Sequence, residues 1–187
     1  MKIYSRPLLT HSAWTTTPVN SGAYRRWLTD KGSLTWRLQS LCSDFRVRPC
    51  RHQYAKPQVD EAQQLRLSRR QHALLREVQL ICDGEAAVFA HSVLPRRSLQ
   101  GEWRTLGRLG NRPLGAALFM NPKVTRTQLE FKKLSRQHAL YRRAVGHLAV
   151  KPHAVWARRS IFRLKHAAIM VTEVFLPAVL PLTEHRR

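Results

Sequence analysis

Two charged residues stand where charge is expensive. Glu173 lies in AAIMVTEVFLPAVLPL, the most apolar stretch of a chain with only 11 acidic residues. A lone carboxylate among apolar neighbours is costly unless it is paired or protonated. Read as a strand, Ile169, Val171, Glu173 and Phe175 share one face, and Met170, Thr172, Val174 and Leu176 the other. Three apolar residues on its own face argue against a side chain that simply points to water. Carboxylates held this way are candidates for proton transfer or hydroxyl recognition. Arg76 is the counterpart. It sits inside LLREVQLIC, on the strand face of Leu74, Val78 and Leu80. A buried guanidinium needs an anion, and its planar fork fits a carboxylate. That anion is either internal, Glu173 or Glu77 in a salt bridge, or the carboxylate of a ligand. One arginine and one glutamate on strands of the same sheet would line a small cavity with two polar ends. Such a cavity suits a small carboxylic acid with a hydroxyl at its far end.

No other residue type forms a comparable constellation. Nine histidines are scattered without an HxH or HExxH spacing, so no metal site is expected. His138 and His147 fall in a basic segment and read as solvated surface. The glycine-rich GRLGNRPLG (107–115) lacks the Gly-Lys-Ser/Thr of a phosphate loop and does not directly follow a strand. There is no GxSxG elbow. Cys42, Cys50 and Cys82 cannot all pair and form no CxxC, which speaks against a disulfide scaffold or a classical zinc module; free cysteines would suit a reducing compartment.

The elements that must carry Arg76 and Glu173 are strands. Leu74 to Cys82 and Ala87 to Val93 alternate around Asp83-Gly84, a dipeptide that supplies the positive φ of a tight hairpin. Val155 to Leu164 and Ala167 to Leu176 read as a second pair with a turn at Lys165-His166. Phe45 to Gln53 is a strand that Pro49 demotes to an edge or a bend, and Thr125 to Leu134 is another. Helical spacing appears at Tyr24, Trp27 and Leu28. It returns after Ser33, a good N-cap, with Leu34, Leu38 and Leu41. Leu99, Trp103 and Leu106 predict a short helix within 95–110, and Pro113 can open another carrying Leu114, Leu118 and Phe119. Residues 58–68 read as a polar loop and 136–152 as a basic, weakly helical insertion. The expected organisation is an irregular lead-in (1–22), one α+β domain on an antiparallel sheet (23–180) and a frayed basic tail (181–187).

The 187 residues are enough for one domain that buries roughly 70% of its unfolded surface. Lys and Arg total 33 against 11 acids, a net charge of +22. The basic residues are spread in pairs such as Arg25-Arg26, Arg69-Arg70 and Arg158-Arg159, without the dense run of a nucleic-acid arm. A solvated basic surface is the plain reading, and an acidic ligand or an anionic membrane surface are the partners such a field favours. No apolar run of 18 residues and no basic-then-apolar leader is present, which makes the cytoplasm the expected location.

Several blocks together resemble the chorismate pyruvate-lyase family, enzymes that make 4-hydroxybenzoate for ubiquinone synthesis. They are Trp27-Leu28 through SLTWRL, LLREVQLICDGEAAVFAHSVLP, LGRLGNRPLGAALF, VTR and WARRSIF…VTEVFLPA, in order from about residue 23 to 178. The resemblance implies a six-stranded antiparallel sheet, helical flaps over a buried ligand, and a reaction that needs no cofactor; a monomer is expected. It implies that chorismate, a dianion, loses its enolpyruvyl side chain as pyruvate in the first committed step of that pathway. Arg76 would hold the ring carboxylate with the main-chain N–H groups of Leu34 and Leu114, and Glu173 would meet the ring hydroxyl. Family members with Met at the position matching Leu34 are compatible, since the contact is made by backbone. The basic segment 136–152 departs from the family by its length. Two other classes stay in view. One is a sensor domain binding a small carboxylate, because ligand-binding domains of some transcription regulators are similar in fold, although no DNA-binding segment precedes this one. The other is a basic protein of nucleic-acid or membrane surfaces.

Overall fold

The structure is a computed structural model that describes residues 13–108 and 114–182. Seven strands make one sheet: β1 (Phe45–Ala55), β2 (Ala73–Cys82), β3 (Glu85–Pro95), β4 (Thr125–Arg126), β5 (Glu130–Ser135), β6 (Ala154–Leu164) and β7 (Ala167–Phe175). Every pairing is antiparallel, in the order β1-β2-β3-β7-β6-β4, with β5 also on β6. The expected six positions across the sheet are therefore present, and the seventh strand comes from an interruption. The predicted strand at Thr125 to Leu134 is broken where three residues, Thr127–Leu129, face two on β6, Ser160 and Ile161. An extra residue of this kind bends a strand away from its ladder.

The turns follow their residues. Asp83 and Gly84 both take positive φ, 48° and 88°, and close the β2–β3 hairpin. Lys165, at φ 50°, turns β6 into β7. Pro49 lies in β1, which is an edge strand, and the pairing slips between Pro49 and Arg51. A proline has no N–H to give a central ladder.

Helices cover both faces. α1 (Arg25–Leu28) follows a 3-10 turn at Gly22–Tyr24, and α2 (Leu34–Leu41) starts where the Ser33 hydroxyl accepts from the Trp36 N–H. Residues 58–68, expected as a loop, contain α3 (Val59–Gln64). Its first turn is held by Glu61, whose carboxylate accepts from the Gln58 N–H at 2.9 Å. The predicted helix in 95–110 is split at Gly101 into α4 (Arg96–Gln100) and a 3-10 turn, Arg104–Arg108. α5 (Leu114–Phe119) carries the expected apolar residues, while Pro113 lies outside the described residues.

The segment 136–152 differs most from its expectation. It holds α6 (Ala139–Val145), whose Leu140, Tyr141, Ala144 and Val145 are buried against Phe89, Ala157 and Val174. Burying a side chain of the size of Leu140 or Val145 contributes about 1.5–3 kcal/mol, so this helix is part of the core. Nor are its histidines merely solvated. His138 accepts from the Leu140 N–H, and His147 Nδ1 takes a hydrogen bond from Gln79 Nε2 at 2.7 Å. Cys42 and Cys82 are bonded, with Cα atoms 5.4 Å apart, joining the end of α2 to the end of β2. The expectation of free cysteines therefore holds for the exposed Cys50 alone. Among the described residues, no helix is long and apolar enough to cross a membrane.

On the face that concerns function, two apolar clusters lie side by side. Trp27, Leu28, Leu34 and Leu38 pack on Val78, Leu80 and Phe175. Leu99, Trp103, Leu114 and Leu118 pack on Leu74, Phe162 and Ile169.

Candidate active site

Between those clusters the sheet presents two rows of side chains to the same face. Cross-strand partners run Arg76–Ser92–Val171 in one row and Val78–Ala90–Glu173–Arg158 in the next. Arg76 and Glu173 are thus two strands and one row apart, which at standard sheet spacing puts their Cα atoms about 12 Å from each other. Ala90 and Ser92 on the strand between them are small, and a cavity opens above. It measures about 40 Å³. Val78, Leu80, Phe162 and Val171 form its apolar floor, and Leu34, Thr35, Leu114, Gly115, Leu118 and Phe119 of α2 and α5 its lid. The four residues singled out in the sequence, Leu34, Arg76, Leu114 and Glu173, all line this one cavity.

The lid is tight at one point. A Cβ on Gly115 would stand 2.9 Å from Thr35 Oγ1, so glycine lets α5 close on α2. Ser33 caps α2 directly before Leu34, which fixes where this half of the lid begins.

Arg76 is 3% exposed, and burial pulls its guanidinium below the usual arginine pKa. Desolvation disfavours the charged form, and an anion at the fork counters it. Glu77, its chain neighbour, points to the opposite face. Glu173 pairs with Arg158: its Oε2 accepts from Arg158 Nε at 2.5 Å. The internal pairing that the sequence left open for Glu173 is therefore made, with a different arginine. Arg158 is completely buried, and its Nη1 also donates to the carbonyl oxygens of Trp27 at 2.8 Å, Leu28 at 3.4 Å and Asp30 at 2.5 Å. Arg126 stands nearby. Its guanidinium carbon lies 5.5 and 5.1 Å from the ring centroids of Phe119 and Phe162, which pack edge to face on each other, and its nitrogens donate to Ser160 Oγ and the Lys31 carbonyl. Burial lowers the Arg126 pKa while Glu173 acts against the shift.

Arg158 is the residue that sequence reasoning missed. A signal was available: adjacent arginines in a strand point to opposite faces, and in VWARRSIF both faces are rich in apolar residues. Each arginine then needs acceptors. Arg159, on the far face, finds Glu130 at 2.7 Å and Asp60 at 2.6 Å and lies over the Trp14 ring.

Two further polar regions do not share this geometry. A larger cavity of 740 Å³ borders the small one through Phe119 and is lined by Arg25, Lys31 and Arg126, but by none of the four singled-out residues. On the opposite face, His91 is 1% exposed and sits between two carboxylates, with Nδ1 2.9 Å from Glu77 and Nε2 3.1 Å from Glu61. Arg143 at 3.1 Å and Arg51 at 4.0 Å complete the set around Glu77. Burial opposes the imidazolium, yet the two carboxylates outweigh it and raise the His91 pKa. The network joins α3 and α6 to the sheet, away from the cavity.

Comparison with known proteins matches residues 9–183 to a family described as chorismate lyase. A protein of Methylobacillus flagellatus named probable chorismate pyruvate-lyase is 52% identical over 169 residues, which is 90% of this chain and 95% of that one. Another of the same name from Nitrosomonas europaea is 47% identical over 92% of this chain and 96% of its own. Solved structures resemble the fold at much lower identity. PhnF from Mycobacterium smegmatis superposes with a TM-score of 0.55 at 14% identity, covering 85% of this chain and 71% of that chain. A GntR-family transcriptional regulator from Bacillus cereus gives a TM-score of 0.55 at 11% identity, over 78% of this chain and 98% of its own. These two share the α+β fold with an antiparallel sheet.

Proposed function

The chain belongs to the chorismate lyase family, and on that premise we propose that Arg76 and Glu173 hold the two polar ends of its ring substrate. The enzyme is a lyase that converts chorismate to 4-hydroxybenzoate and pyruvate. Arg76 takes the ring carboxylate in its fork, assisted by the main-chain N–H groups of Leu34 and Leu114. Glu173 meets the ring hydroxyl at the other end. The observation that supports this assignment is that all four residues line one cavity, with the arginine and the glutamate two strands apart.

The chemistry follows from the product. 4-Hydroxybenzoate carries its hydroxyl on an aromatic carbon, so the hydrogen on that carbon must leave as a proton. Its C–H electron pair becomes part of the ring, and the neighbouring carbon–oxygen bond breaks with its electrons on oxygen. The released enolpyruvate gains a proton at its methylene carbon and becomes pyruvate. No net oxidation or reduction occurs, and aromatisation supplies the driving force. Binding the carboxylate at Arg76 fixes the ring, and the apolar floor keeps water from it. Glu173, beside the hydroxyl-bearing carbon, orients that hydroxyl and assists removal of the proton.

The net charge of +22 gathers a dianionic substrate. The same reading has the chain act as a monomer in the cytoplasm, with its basic surface touching anionic membranes peripherally. The deciding experiment is incubation of purified protein with chorismate and no added metal. Equimolar 4-hydroxybenzoate and pyruvate are expected. Folded protein that binds 4-hydroxybenzoate but yields neither product would return the chain to the sensor class.

A further inference from the structure

We infer that Arg158 is a positioning residue for the hydroxyl end of the site: it fixes the Glu173 carboxylate and ties it to the turn that leads into the lid helix α2. The inference rests on the reading that Glu173 meets the ring hydroxyl, and extends it to the group that makes Glu173 selective.

Arg158 stands directly opposite Glu173 in the β6–β7 ladder. Its Nε donates to Glu173 Oε2 at 2.5 Å, and among the described residues Glu173 Oε1 has no hydrogen-bond partner although the residue lines the cavity. One carboxylate oxygen is thus committed to the protein and the other is left for a ligand hydroxyl. A second nitrogen, Nη1, reaches the carbonyls of Trp27 and Asp30, in the stretch that ends α1 and leads to Ser33, the cap of α2, while Nη2 is buried with no hydrogen-bond partner among the described residues. The Phe175 ring lies 5.5 Å from the guanidinium carbon and closes off one side. Stability alone is a poor account of this arrangement. Taking a cation and a carboxylate out of water costs about as much as their attraction returns, and a well-packed apolar pair would serve as well. A planar fork does what an apolar pair cannot. It holds an acceptor at a set angle and, with its other arm, fixes a second segment. A lysine carries its three donors on one atom and lacks the separate Nε and Nη1 that reach the two segments.

The test compares binding of 4-hydroxybenzoate with benzoate, which lacks only the hydroxyl. Wild-type protein is expected to prefer 4-hydroxybenzoate. In Arg158→Met that preference should shrink at least tenfold while benzoate affinity stays within about threefold, because the carboxylate end is held from β2. Arg158→Lys should recover only part of the preference. A preference that survives in both variants overturns the inference, and so does equal weakening of both ligands, the mark of a merely structural role. Glu173→Gln is the control that separates the two levels. If it retains the preference, the hydroxyl reading of Glu173 fails. If it loses the preference while the Arg158 variants keep it, only the role of Arg158 fails. Should neither Arg158 variant fold, the wild-type protein still decides. The NMR signal of the Arg158 Nε proton should move with 4-hydroxybenzoate and not with benzoate, and an unmoved signal overturns the inference.

Discussion

Arg76 and Glu77 are neighbours on one strand that serve opposite faces of the sheet: Arg76 lines the cavity, and Glu77 lies 2.9 Å from the buried His91. Strand alternation makes this inevitable, and a slip of one residue would exchange them. One face then carries the cavity and the other an ionic network that binds helices to the sheet. The two can be perturbed separately.

On the cavity side, Arg76→Ala should weaken 4-hydroxybenzoate by about 2–5 kcal/mol, which is what removing one partner of a buried charged contact costs. That is roughly thirtyfold or more in Kd. Arg76→Lys restores the charge without the fork and should recover only part of the loss. Calorimetric titration reads both, and unchanged affinity in Arg76→Ala would remove this residue from the site.

At the other end, Glu173→Gln keeps the shape and removes the carboxylate. If Glu173 assists proton removal, kcat should fall about 100-fold or more, the usual weight of a positioned base. KM should change far less, because in the proposed binding mode Arg76 and the backbone donors hold the carboxylate independently of Glu173. Steady-state rates with chorismate measure this, and wild-type turnover in the variant would fix Glu173 as a non-catalytic group.

The lid makes a steric prediction. A methyl at position 115 would stand 2.9 Å from Thr35 Oγ1. Thr35 is buried, and a β-branched side chain is stiff at χ1, so it has little freedom to turn aside. Gly115→Ala should therefore push α5 off α2 at a cost of about 1–3 kcal/mol. The expected signature is product release accelerated roughly tenfold, seen by stopped flow on protein loaded with 4-hydroxybenzoate. Release at the wild-type rate would mean that the α2–α5 seam does not gate the ligand.

Much of this geometry was legible in the residues. Asp83-Gly84 set the central hairpin, and alternation in LLREVQLIC put Arg76 on the face it occupies. The pairing of Glu173 was within reach too. With the turn at Lys165-His166 fixed, Leu164 faces Ala167, and counting outward places Arg158 opposite Glu173. What was not legible had local causes. α3 looks like a loop because its cap is Gln58 rather than Ser, Thr, Asp or Asn, and because Glu61, a buried residue, reads as polar surface. α6 is masked by Arg142 and Arg143, which sit between the buried pairs Leu140-Tyr141 and Ala144-Val145. The Cys42–Cys82 bond spans 40 residues, and only the tertiary fold brings its ends together.

The far face predicts a pH dependence of stability. His91 has a pKa raised in the folded state, because burial, which opposes its charge, is outweighed by Glu61 and Glu77. Its contribution is complete below the ordinary imidazole value of 6.5 and is lost as pH rises through the raised folded value. Glu77 is shifted the other way. Burial pushes it up, but His91, Arg143 and Arg51 hold it below the ordinary 4.5, so its contribution is present above that value and lost as pH falls through the lowered one. The network is therefore fully formed between about pH 5 and 6.5. In that window His91→Gln should destabilise the fold by about 3–5 kcal/mol, since two buried carboxylates lose their shared cation. The gap between wild type and variant should narrow as pH rises, because the wild-type imidazole then loses its charge as well. Denaturant melts of both proteins from pH 5.5 to 9 measure this gap. A gap that does not change with pH would show that His91 is neutral in the folded protein. Turnover at low temperature should be nearly the same in both, because His91 and the cavity lie on opposite sides of one strand.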